Sequence, residues 1–536
     1  MGSIKARSSY PESPGAEKWD AIVIGSGMGG LSTAALLARH GGKRVLVLER
    51  NSVAGGFTHT FGSSDYEWNL GVHYVGQMQD PKSLIRAAFD HLTGGRLQWS
   101  PLPKVYDRAR IGDREYDFVA GRARFRDQMK SYFPNEAKAI DGYLHAIESC
   151  FNRSTMYFKA KVLPPSLAWL PGPLMQGPFL RWAGRTTADV LAKITANREL
   201  SAVLTAQWGD YGLTPMESSF GVHAMLISHY IDGASFPVGG ASRLAACLAP
   251  TIEEAGGEVV VNAEVSRILL DRSQRAAGVR MLDGRELRAE LVISAVGARN
   301  TFHTLLPRDA PGVRAALREL KKVPPSVANL CLCVGIKQSA ANLGLAGANL
   351  WVHPTPDHDA NLARFKRDLS APLPLLFISS PSANDPDFAQ RHPGRSTLEV
   401  ISLVPYDLFA RWENPESRGQ DYEEFKQSLE ERLRKGLEEH VPAMRGKLDV
   451  VDLLTPLSAR RYMNCPSGES YGLSATPARF RLRCLSPRTS VRNVYLTGQD
   501  ACLIGVAGAA MGGVLTASAA LGRNLVPVVL KQGRKS

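Results

Sequence analysis

The sequence predicts an α/β fold in which a parallel-sheet domain is interrupted by a second domain of mixed sheet and helices. First, an apolar strand at 21–24 runs through a glycine-rich turn into a helix at 31–38, and a second apolar strand follows at 44–48. Second, short apolar strands return at 291–296 and 494–496. Third, long segments separate these returns. Strands that alternate with helices in this way predict parallel pairing.

The glycine-rich turn reads Gly25-Ser26-Gly27-Met28-Gly29-Gly30, a G-x-G-x-x-G pattern between strand and helix. Gly25 permits the tight turn, Gly27 lets the backbone approach a pyrophosphate, and Gly30 lets helix and strand pack closely. Glu49, at the end of the second strand, is placed to accept hydrogen bonds from a ribose hydroxyl. Because the N-terminus of a helix favours negative charge, the sequence predicts a dinucleotide site here.

The composition is that of a globular protein rather than of a disordered or repeat protein. The 536 residues are 44% hydrophobic and include 49 Gly and 33 Pro, and this length favours two packed domains. Lys and Arg number 64 and Asp and Glu 51, so the formal net charge is +13. Such a charge suggests nucleic acid, anionic lipid or an acidic substrate as a partner. Because the sequence has no zinc-finger spacing, RNA-binding aromatic motif or basic helix, nucleic acid is the least favoured.

The seven cysteines are scattered and contain no C-x-x-C pair, so the sequence predicts neither a disulfide framework nor a cysteine metal site. Cys331 and Cys333 alternate along an apparent strand, which places both on one face as packed core. A reducing compartment is the expected setting. A metal site is also disfavoured at a small cluster on a proline-bearing stretch predicted to be a loop, formed by His353, Asp357, His358 and Asp359.

Domain boundaries follow from the three returns to the parallel sheet. The first domain is predicted to comprise 19–102, 236–304 and 450–530, and the second to comprise 103–235 and 305–449. The second of these insertions carries an amphipathic helix, predicted to lie on the surface, with one apolar face formed by Tyr422, Phe425, Leu429, Leu433 and Leu437.

Two segments bear on targeting and on membranes. Residues 1–18 are polar, contain proline and lack an apolar stretch, so they predict a disordered leader rather than a secretory signal. Cys502 to Leu521 contains no charge and is long enough to span a bilayer. Because Gly and Ala dominate over Leu in this stretch, a buried helix is the favoured interpretation.

The C-terminal part of the chain suits a flavin. A strand at 494–496 leads through Gly498 to Asp500, and an uncharged glycine-rich helix follows at 505–513. Asp500 can accept hydrogen bonds from ribityl hydroxyls. The positive end of the helix can face the flavin N1/O2 edge, where negative charge builds up on reduction.

With these motifs the chain resembles the FAD-dependent phytoene desaturase-like group of the amine-oxidase superfamily, and more narrowly its retinol saturase and carotenoid isomerase branch. The narrower resemblance rests on blocks that run from about residue 20 to about residue 525: Gly209-Asp210-Tyr211-Gly212, Ser219-Phe220, His223-Ala224, His229-Tyr230, Phe236 to Ser242, Phe377 to Ser382, Val404-Pro405-Tyr406, Tyr471-Gly472-Leu473 and Tyr495 to Asp500. It implies FAD as cofactor and an α/β fold: a split Rossmann-type FAD-binding domain with an inserted mixed-sheet and helical substrate-binding domain.

The chain departs from the superfamily pattern at Phe57, where many members have an arginine that contacts the flavin phosphates. The saturase-like branch also lacks this arginine, so Phe57 supports the narrower resemblance and puts a phosphate role at this position in doubt. Arg50 either supplies the positive charge instead or is a solvated residue beside Glu49. The predicted FAD contacts are Gly25, Ser26, Gly27, Met28, Gly29, Gly30, Glu49, Arg50, Gly55, Gly56, Phe57, Thr58, Val265, Gly498, Asp500, Gly508 and Ala509.

The resemblance implies an FAD-dependent oxidoreductase that saturates, desaturates or isomerises a double bond of a polyene lipid such as a retinoid or carotenoid. One alternative is a carotenoid ketolase or an enzyme that modifies unsaturated fatty acids. Another is a non-enzymatic chaperone that binds prenyl lipids on the same fold, although Glu49 and Asp500 have clear roles only if FAD is bound. Because the sequence has one dinucleotide fingerprint, electrons are expected to pass to or from an external carrier, a quinone or oxygen.

His73 is the candidate catalytic residue. It either lies near the flavin face, where it orients substrate or relays a proton, or is a core histidine with satisfied hydrogen bonds. His223 and His229 are six residues apart, off any common helical face, which favours packing roles for both. Tyr211 and Tyr471 either line the cavity or pack.

The segment 153–185 is basic and aromatic, is interrupted by prolines and contains no acidic residue. Aromatic rings with neighbouring basic residues suit the headgroup region of a bilayer, so the segment predicts a monotopic membrane contact. The alternative is a proline-rich loop packed over the substrate domain. The expected localisation is cytoplasmic with peripheral membrane association. The residues concerned are Arg153, Tyr157, Phe158, Lys159, Lys161, Trp169, Phe179, Arg181, Trp182 and Arg185.

Overall fold

The computed structural model describes residues 8–9, 18–62, 65–163 and 171–533. Of the predicted disordered leader, residues 1–7 and 10–17 lie outside the described residues. Ser8–Ser9 forms a short strand that pairs in parallel with Glu258–Val261.

The first sheet has eight strands, and its centre consists of runs of Val, Ile and Leu that are buried on both faces between helices. The register of the three central strands is shown by Ile22, which pairs with Leu46 on one side and with Val292 on the other. Two strands at one end pair antiparallel and the others in parallel. From edge to edge the strands are Ser8–Ser9, Glu258–Val261, Val45–Leu48, Trp19–Ile24, Glu286–Ser294, Ala276–Met281 and Val265–Leu270, and Val494–Leu496 also pairs with Glu286–Ser294.

The second sheet has seven strands and is mixed, with one parallel pair between Val105–Ile111 and Asn349–His353. The helix Gln420–His440 packs on it through buried Tyr422, Leu429, Leu433 and Leu437, as the amphipathic pattern predicts. Leu448–Leu454 is an edge strand of this sheet, so the predicted domain boundary at 450 falls inside a strand. The order is Leu448–Leu454, Ala328–Ile336, Ser396–Val404, Leu376–Ser379, Asn349–His353, Val105–Ile111 and Arg114–Val119.

Two small sheets lie where the segments of the two domains meet. One pairs Ala234–Pro237 with Val75–Gly76 and Trp99–Pro101, and the other pairs Thr60–Gly62 with Glu67–Asn69. The longer helices are Met28–Gly41, Leu84–Thr93, Arg122–Tyr132, Ala137–Val162, Pro171–Ala183, Phe220–Tyr230, Arg243–Glu253, Val313–Leu320, His358–Arg367, Gln420–His440, Pro456–Met463, Gly505–Leu521 and Val526–Gly533; the shorter helices include Thr187–Leu191 and Arg198–Leu204.

The helix Gly505–Leu521 packs against Met28–Gly41 in the core of the first domain. Small residues allow this close approach, because a β-carbon at Gly513 would lie 2.5 Å from the β-carbon of Ser32. The prediction of a buried helix in this stretch is confirmed. Among the described residues, no helix is long and apolar enough to cross a membrane.

All seven cysteines are free thiols. Cys331 and Cys333 are buried on one face of Ala328–Ile336, with their Sγ atoms 3.9 Å apart, beside Tyr66 and Trp68. The prediction that these two cysteines pack in the core is confirmed.

Candidate active site

A cavity of about 1020 Å³ lies between the two domains, at the N-termini of Met28–Gly41 and Gly505–Leu521. Of the predicted FAD contacts, two lie behind the cavity wall, Ser26 and Gly30. The others line it: Gly25, Gly27, Met28, Gly29, Glu49, Arg50, Gly55, Gly56, Phe57, Thr58, Val265, Gly498, Asp500, Gly508 and Ala509. Residues more than 400 positions apart in the chain therefore meet at one site.

The fingerprint glycines have different environments. A β-carbon at Gly27 would have no protein atom within 4 Å, so this position is open toward the cavity. A β-carbon at Gly30 would overlap the carbonyl oxygen of Gly25, and one at Gly29 would overlap the backbone of Gly498. Gly25 has φ = +94°, which side chains rarely allow. The open position is therefore the one at which the pattern places a pyrophosphate.

Glu49 is buried, and its carboxylate already has protein partners. Oε2 accepts from the Ser26 backbone N–H at 3.0 Å and the Ser26 hydroxyl at 2.7 Å, and Oε1 accepts from the Asn51 N–H at 2.9 Å. A carboxylate has about four acceptor positions, so one remains for a ribose hydroxyl. Ser26 also accepts from the Gly55 N–H at 3.0 Å, which ties the fingerprint to the paired glycines.

Asp500 is also buried, and it has a partner that sequence reasoning missed. Its Oδ2 accepts from the Ala298 N–H at 2.8 Å, and its Oδ1 lies 3.2 Å from Nη2 of Arg479, which is itself only 3% exposed. Arg479 also donates to the carbonyl oxygens of Leu473 and Gln499. The sequence offers no signal for this arginine, because it stands among other arginines at 481 and 483.

The two helix N-termini at the cavity have no capping side chain and no acidic residue in the first turn. Their free N–H groups and dipoles therefore favour negative charge in the cavity at two places. One lies beside the open Gly27 and suits a pyrophosphate; the other lies beside Gly508 and Ala509 and suits the edge of a reduced flavin ring. These residues fit FAD.

Arg50 and Phe57 both line the cavity, in different surroundings. Arg50 is partly exposed and donates to the carbonyl oxygen of Arg461. Phe57 packs against Gly71, where a β-carbon would lie 3.2 Å from its ring. Arg50 and Arg299, which also lines the cavity, therefore both bring positive charge to its wall.

His73 lines the cavity and has a buried acidic neighbour that the sequence did not reveal. Its Nδ1 lies 2.9 Å from Oε2 of Glu399, and its ring meets Phe377 edge to face at 5.3 Å. Glu399 is fully buried on the second sheet, and its Oε1 accepts from the Asn69 N–H at 2.8 Å. The carboxylate therefore lies within ion-pair distance of the imidazole at the border between the two domains, although these two atoms do not meet in hydrogen-bond geometry.

Another part of the cavity wall is apolar and aromatic, and the second domain contributes to it. Tyr74 stacks on Tyr230 with ring centroids 4.4 Å apart, and Tyr471 lines the cavity while donating to the Gly209 carbonyl at 3.1 Å. Such a wall suits an apolar ligand that has few polar groups. The lining residues of this wall include Val222, Met225, Leu226, Trp351, Leu375 and Phe377.

The other candidate histidines have structural hydrogen bonds. His223 is fully buried between the hydroxyls of Tyr143 at 2.9 Å and Tyr211 at 3.2 Å, and burial lowers its pKa to about 3. His229 accepts from the Gly76 N–H at 2.9 Å, although it also lines the cavity.

The predicted loop around the His353 cluster is wrong in part. His353 ends a strand, and His358–Arg367 is a helix whose first turn Asp357 caps by accepting from the Ala360 N–H at 2.9 Å. The Nε2 atoms of His353 and His358 lie at hydrogen-bond distance from the carbonyl oxygens of Ala206 and Ala202. Among the residues that the structure describes, no group of three or more ligating side chains is arranged to hold a metal ion.

Comparisons with known proteins show the family to which the chain belongs. Two family models match, "NAD(P)-binding Rossmann-like domain" at residues 23–92 and "Flavin containing amine oxidoreductase" at residues 184–521. The latter covers more than half of the chain.

Two curated relatives match along nearly the whole chain. The all-trans-retinol 13,14-reductase of Danio rerio is 37% identical over 531 residues, which cover 95% of this chain and 87% of the relative. The chloroplastic prolycopene isomerase 1 of an Oncidium hybrid cultivar is 26% identical, with 94% and 84% covered.

Among solved structures, cyclohexylamine oxidase from Brevibacterium oxydans IH-35A shares the fold, with a TM-score of 0.59, 16% identity and coverage of 96% of this chain and 99% of that one. The fold, the cavity and these matches agree on FAD as the cofactor. The chain is therefore an FAD-dependent oxidoreductase that belongs to the flavin containing amine oxidoreductase family, in the group of the all-trans-retinol 13,14-reductases.

Proposed function

We propose that the protein reduces a carbon–carbon double bond of a retinoid-like polyene. The observation that carries the proposal is one continuous cavity, in which the residues that fit FAD adjoin an apolar aromatic wall. The relative with 37% identity is named for the reduction of all-trans-retinol at the 13,14 bond. A polyene has no acid or base of its own near the reacting carbons, so binding must position it by shape and by apolar contact.

When bound, FAD supplies hydride transfer, and this chain's residues hold and orient the reactants around it. Gly27 and the N-terminus of Met28–Gly41 are proposed to hold the pyrophosphate, with Glu49 at the ribose. Asp500 is proposed to hold the ribityl chain, beside the N-terminus of Gly505–Leu521. The aromatic wall excludes water and aligns the polyene, and His73, which lies 2.9 Å from a carboxylate oxygen of Glu399, is proposed to position the substrate where the two domains meet.

A second candidate reaction is isomerisation, which the similarity to prolycopene isomerase favours. Isomerisation needs no net transfer of electrons, whereas reduction consumes two electrons per turnover. Because the sequence has one dinucleotide fingerprint, we propose that an external carrier or a quinone reduces the flavin. Desaturation, carotenoid ketolation and fatty-acid modification are the other candidate reactions, and the products of the experiment below would identify them.

The test is anaerobic incubation of the purified protein, with its flavin pre-reduced by dithionite, with all-trans-retinol, phytoene, cis-lycopene and a polyunsaturated fatty acid. The expected result is a dihydro-retinoid product formed together with reoxidation of the flavin, measured by chromatography and by visible absorbance. The control is the same protein with oxidised flavin, which should give no reduced product. Conversion of cis-lycopene without flavin reoxidation would favour the isomerase, and a colourless protein that binds lipid would contradict the proposal.

We further propose that the cavity opens toward a membrane surface. Thr155 and Lys159 on the helix Ala137–Val162 are exposed and also line the cavity, so the cavity has an opening beside this helix. Met156 is 44% exposed nearby, and Leu174 on Pro171–Ala183 is 78% exposed. Within the predicted membrane segment, Tyr157 and Phe179 are buried, so these rings do not reach a headgroup layer, and Trp169 lies outside the described residues.

The membrane proposal predicts that Met156→Glu combined with Leu174→Glu weakens binding to anionic phosphatidylcholine–phosphatidylserine vesicles by about tenfold or more, because each apolar side chain loses roughly 1.5–3 kcal/mol of favourable burial. Co-sedimentation measures this binding. The matched control is Leu282→Glu, since Leu282 is 69% exposed on a hairpin of the other domain and should have no effect. Equal vesicle binding by the double variant and the wild type would contradict a contact at this opening.

A further inference from the structure

Two buried aspartates share one tyrosine at the aromatic wall of the cavity. The hydroxyl of Tyr74 lies 2.8 Å from Oδ2 of Asp210 and 3.1 Å from Oδ2 of Asp107. Asp210 and Tyr74 line the cavity, whereas Asp107 lies behind it on the strand Val105–Ile111. Two carboxyl groups this close cannot both ionise cheaply in an apolar interior.

The two carboxyl groups are solvated very differently by the protein. Asp107 accepts from three further side chains, Asn349 at 2.9 Å, Gln207 at 2.6 Å and Trp351 at 3.0 Å. Among the described residues, Tyr74 provides the one hydrogen bond of the Asp210 side chain. Donors stabilise a carboxylate, so the negative charge of the pair belongs on Asp107 and the proton on Asp210.

The ionisation of the pair agrees with this assignment. Burial raises the pKa of Asp107 to about 6, against the donors that hold its charge. Burial, and then the charge of Asp107, raise the pKa of Asp210 to about 7. A carboxylic acid that keeps its proton near neutrality thus faces an apolar cavity, and none of the residues that fit FAD uses it.

We propose that Asp210 is the catalytic acid that gives a proton to the polyene. This inference rests on the proposed reduction. Saturating one double bond adds a hydride to one carbon and a proton to its neighbour; reduced flavin supplies the hydride, and the Asp210 carboxylic acid supplies the proton and becomes a carboxylate. Asp210 regains a proton from water after the product leaves. Asp107 and Tyr74 are positioning residues, since they keep the acid protonated and oriented.

The pH dependence has a defined direction. The groups that face Asp210 are Tyr74, Asp107, His73 with Glu399, and the tyrosines at 106, 211, 230 and 471. Burial raises the pKa of each of these five tyrosines, so they stay neutral. Because the acid form is required, product formation should be constant below about pH 6 and fall by about tenfold per pH unit above pH 7.

The decisive variant is Asp210→Asn. It should keep its flavin content, its reduction by dithionite and its retinol affinity. Product should form at least about 100-fold more slowly, and its rate should no longer fall as the pH rises above 7. Since ionised Asp210 destabilises the folded protein as the pH rises toward 7, its removal should not lower stability at pH 8. Asp107→Asn removes the charge that raises the pKa of Asp210, so the fall in product formation should begin at a lower pH.

A readout independent of turnover is the infrared carbonyl band of a protonated carboxyl group. In the wild type, the part of this band that disappears as the pH is raised through about 7 is expected to come from Asp210, and Asp210→Asn should lack that part. The matched control is Asp90→Asn, because Asp90 is a buried acid paired with Arg86 that does not line the cavity, and it should leave both readouts unchanged.

The failures of the two proposals differ. If the wild type reduces no polyene, the proposed function fails, while the infrared band still decides whether Asp210 is an acid near neutrality; a missing band overturns the inference. Wild-type turnover and pH profile in flavin-loaded Asp210→Asn also overturn it. If that variant does not fold, Asp210→Glu is the substitute, and its product formation should still fall as the pH rises above 7. Product formation by Asp210→Glu that does not change with pH would count against the inference.

Discussion

Gly27→Glu is expected to give a folded protein with almost no bound FAD. Gly27 has φ = −62°, which any residue adopts, and a side chain there would enter the cavity rather than meet protein atoms. The new carboxylate would occupy the place proposed for the pyrophosphate at the helix N-terminus, and it would repel the negative charge of the pyrophosphate. We expect FAD to bind at least about 100-fold more weakly, which corresponds to about 2.7 kcal/mol.

Flavin absorbance per protein and fluorescence titration of the apoprotein measure this loss. The thermal midpoint of the Gly27→Glu apoprotein should match that of wild-type apoprotein. Gly27→Ala adds a methyl group without charge and should weaken FAD binding less. Gly29→Ala is the opposite control, since its β-carbon would overlap the backbone of Gly498 and should destabilise even the apoprotein. Full flavin content in Gly27→Glu would show that the cofactor lies elsewhere.

Arg479→Met is expected to lower the stability of the apoprotein by about 3–5 kcal/mol, because it leaves the buried carboxylate of Asp500 without its charged partner. Arg479 and Asp500 are each 3% exposed, so water compensates poorly for loss of the guanidinium. Without this ion pair, the loop 497–500 that faces the cavity should become more mobile, and the FAD content should therefore fall. Urea unfolding of the apoprotein measures the first effect and flavin absorbance the second.

The double variant Arg479→Met with Asp500→Asn should recover part of the lost stability, since it removes the unpaired charge but not the bonds to Leu473 and Gln499. Arg108→Met is the matched surface control. Its pair with Asp117 is 44% and 31% exposed and should matter much less. Equal stability of Arg479→Met and the wild type would mean that the buried pair does not stabilise the fold.

The glycine fingerprint, the acid at 49 and the C-terminal return were predictable because each acts through local backbone geometry. A turn, a helix N-terminus or a buried apolar strand depends on residues a few positions apart, and the residue types report that demand. The buried helix at 505–521 was predictable for the same reason, since its composition excludes a strong membrane segment.

The partners of the functional side chains were not predictable, because each pair joins distant segments. Glu399 reaches His73 across the domains, Arg479 was one of several arginines in a short run, and Asp107 meets Tyr74 only after the second sheet forms. The loop predicted around His353 failed because a single capping aspartate, Asp357, starts a helix directly after the prolines.

The sequence by itself therefore determined that this protein has an α/β dinucleotide fold, that its cofactor end is built from glycines, and that it resembles flavoenzymes acting on polyenes. Local backbone rules were sufficient for this. Only the tertiary structure determined the surroundings of Asp210, which belongs to one of the sequence blocks on which the resemblance rests. Burial beside a second carboxyl group raises its pKa to about 7, and burial is a property of the whole packed chain.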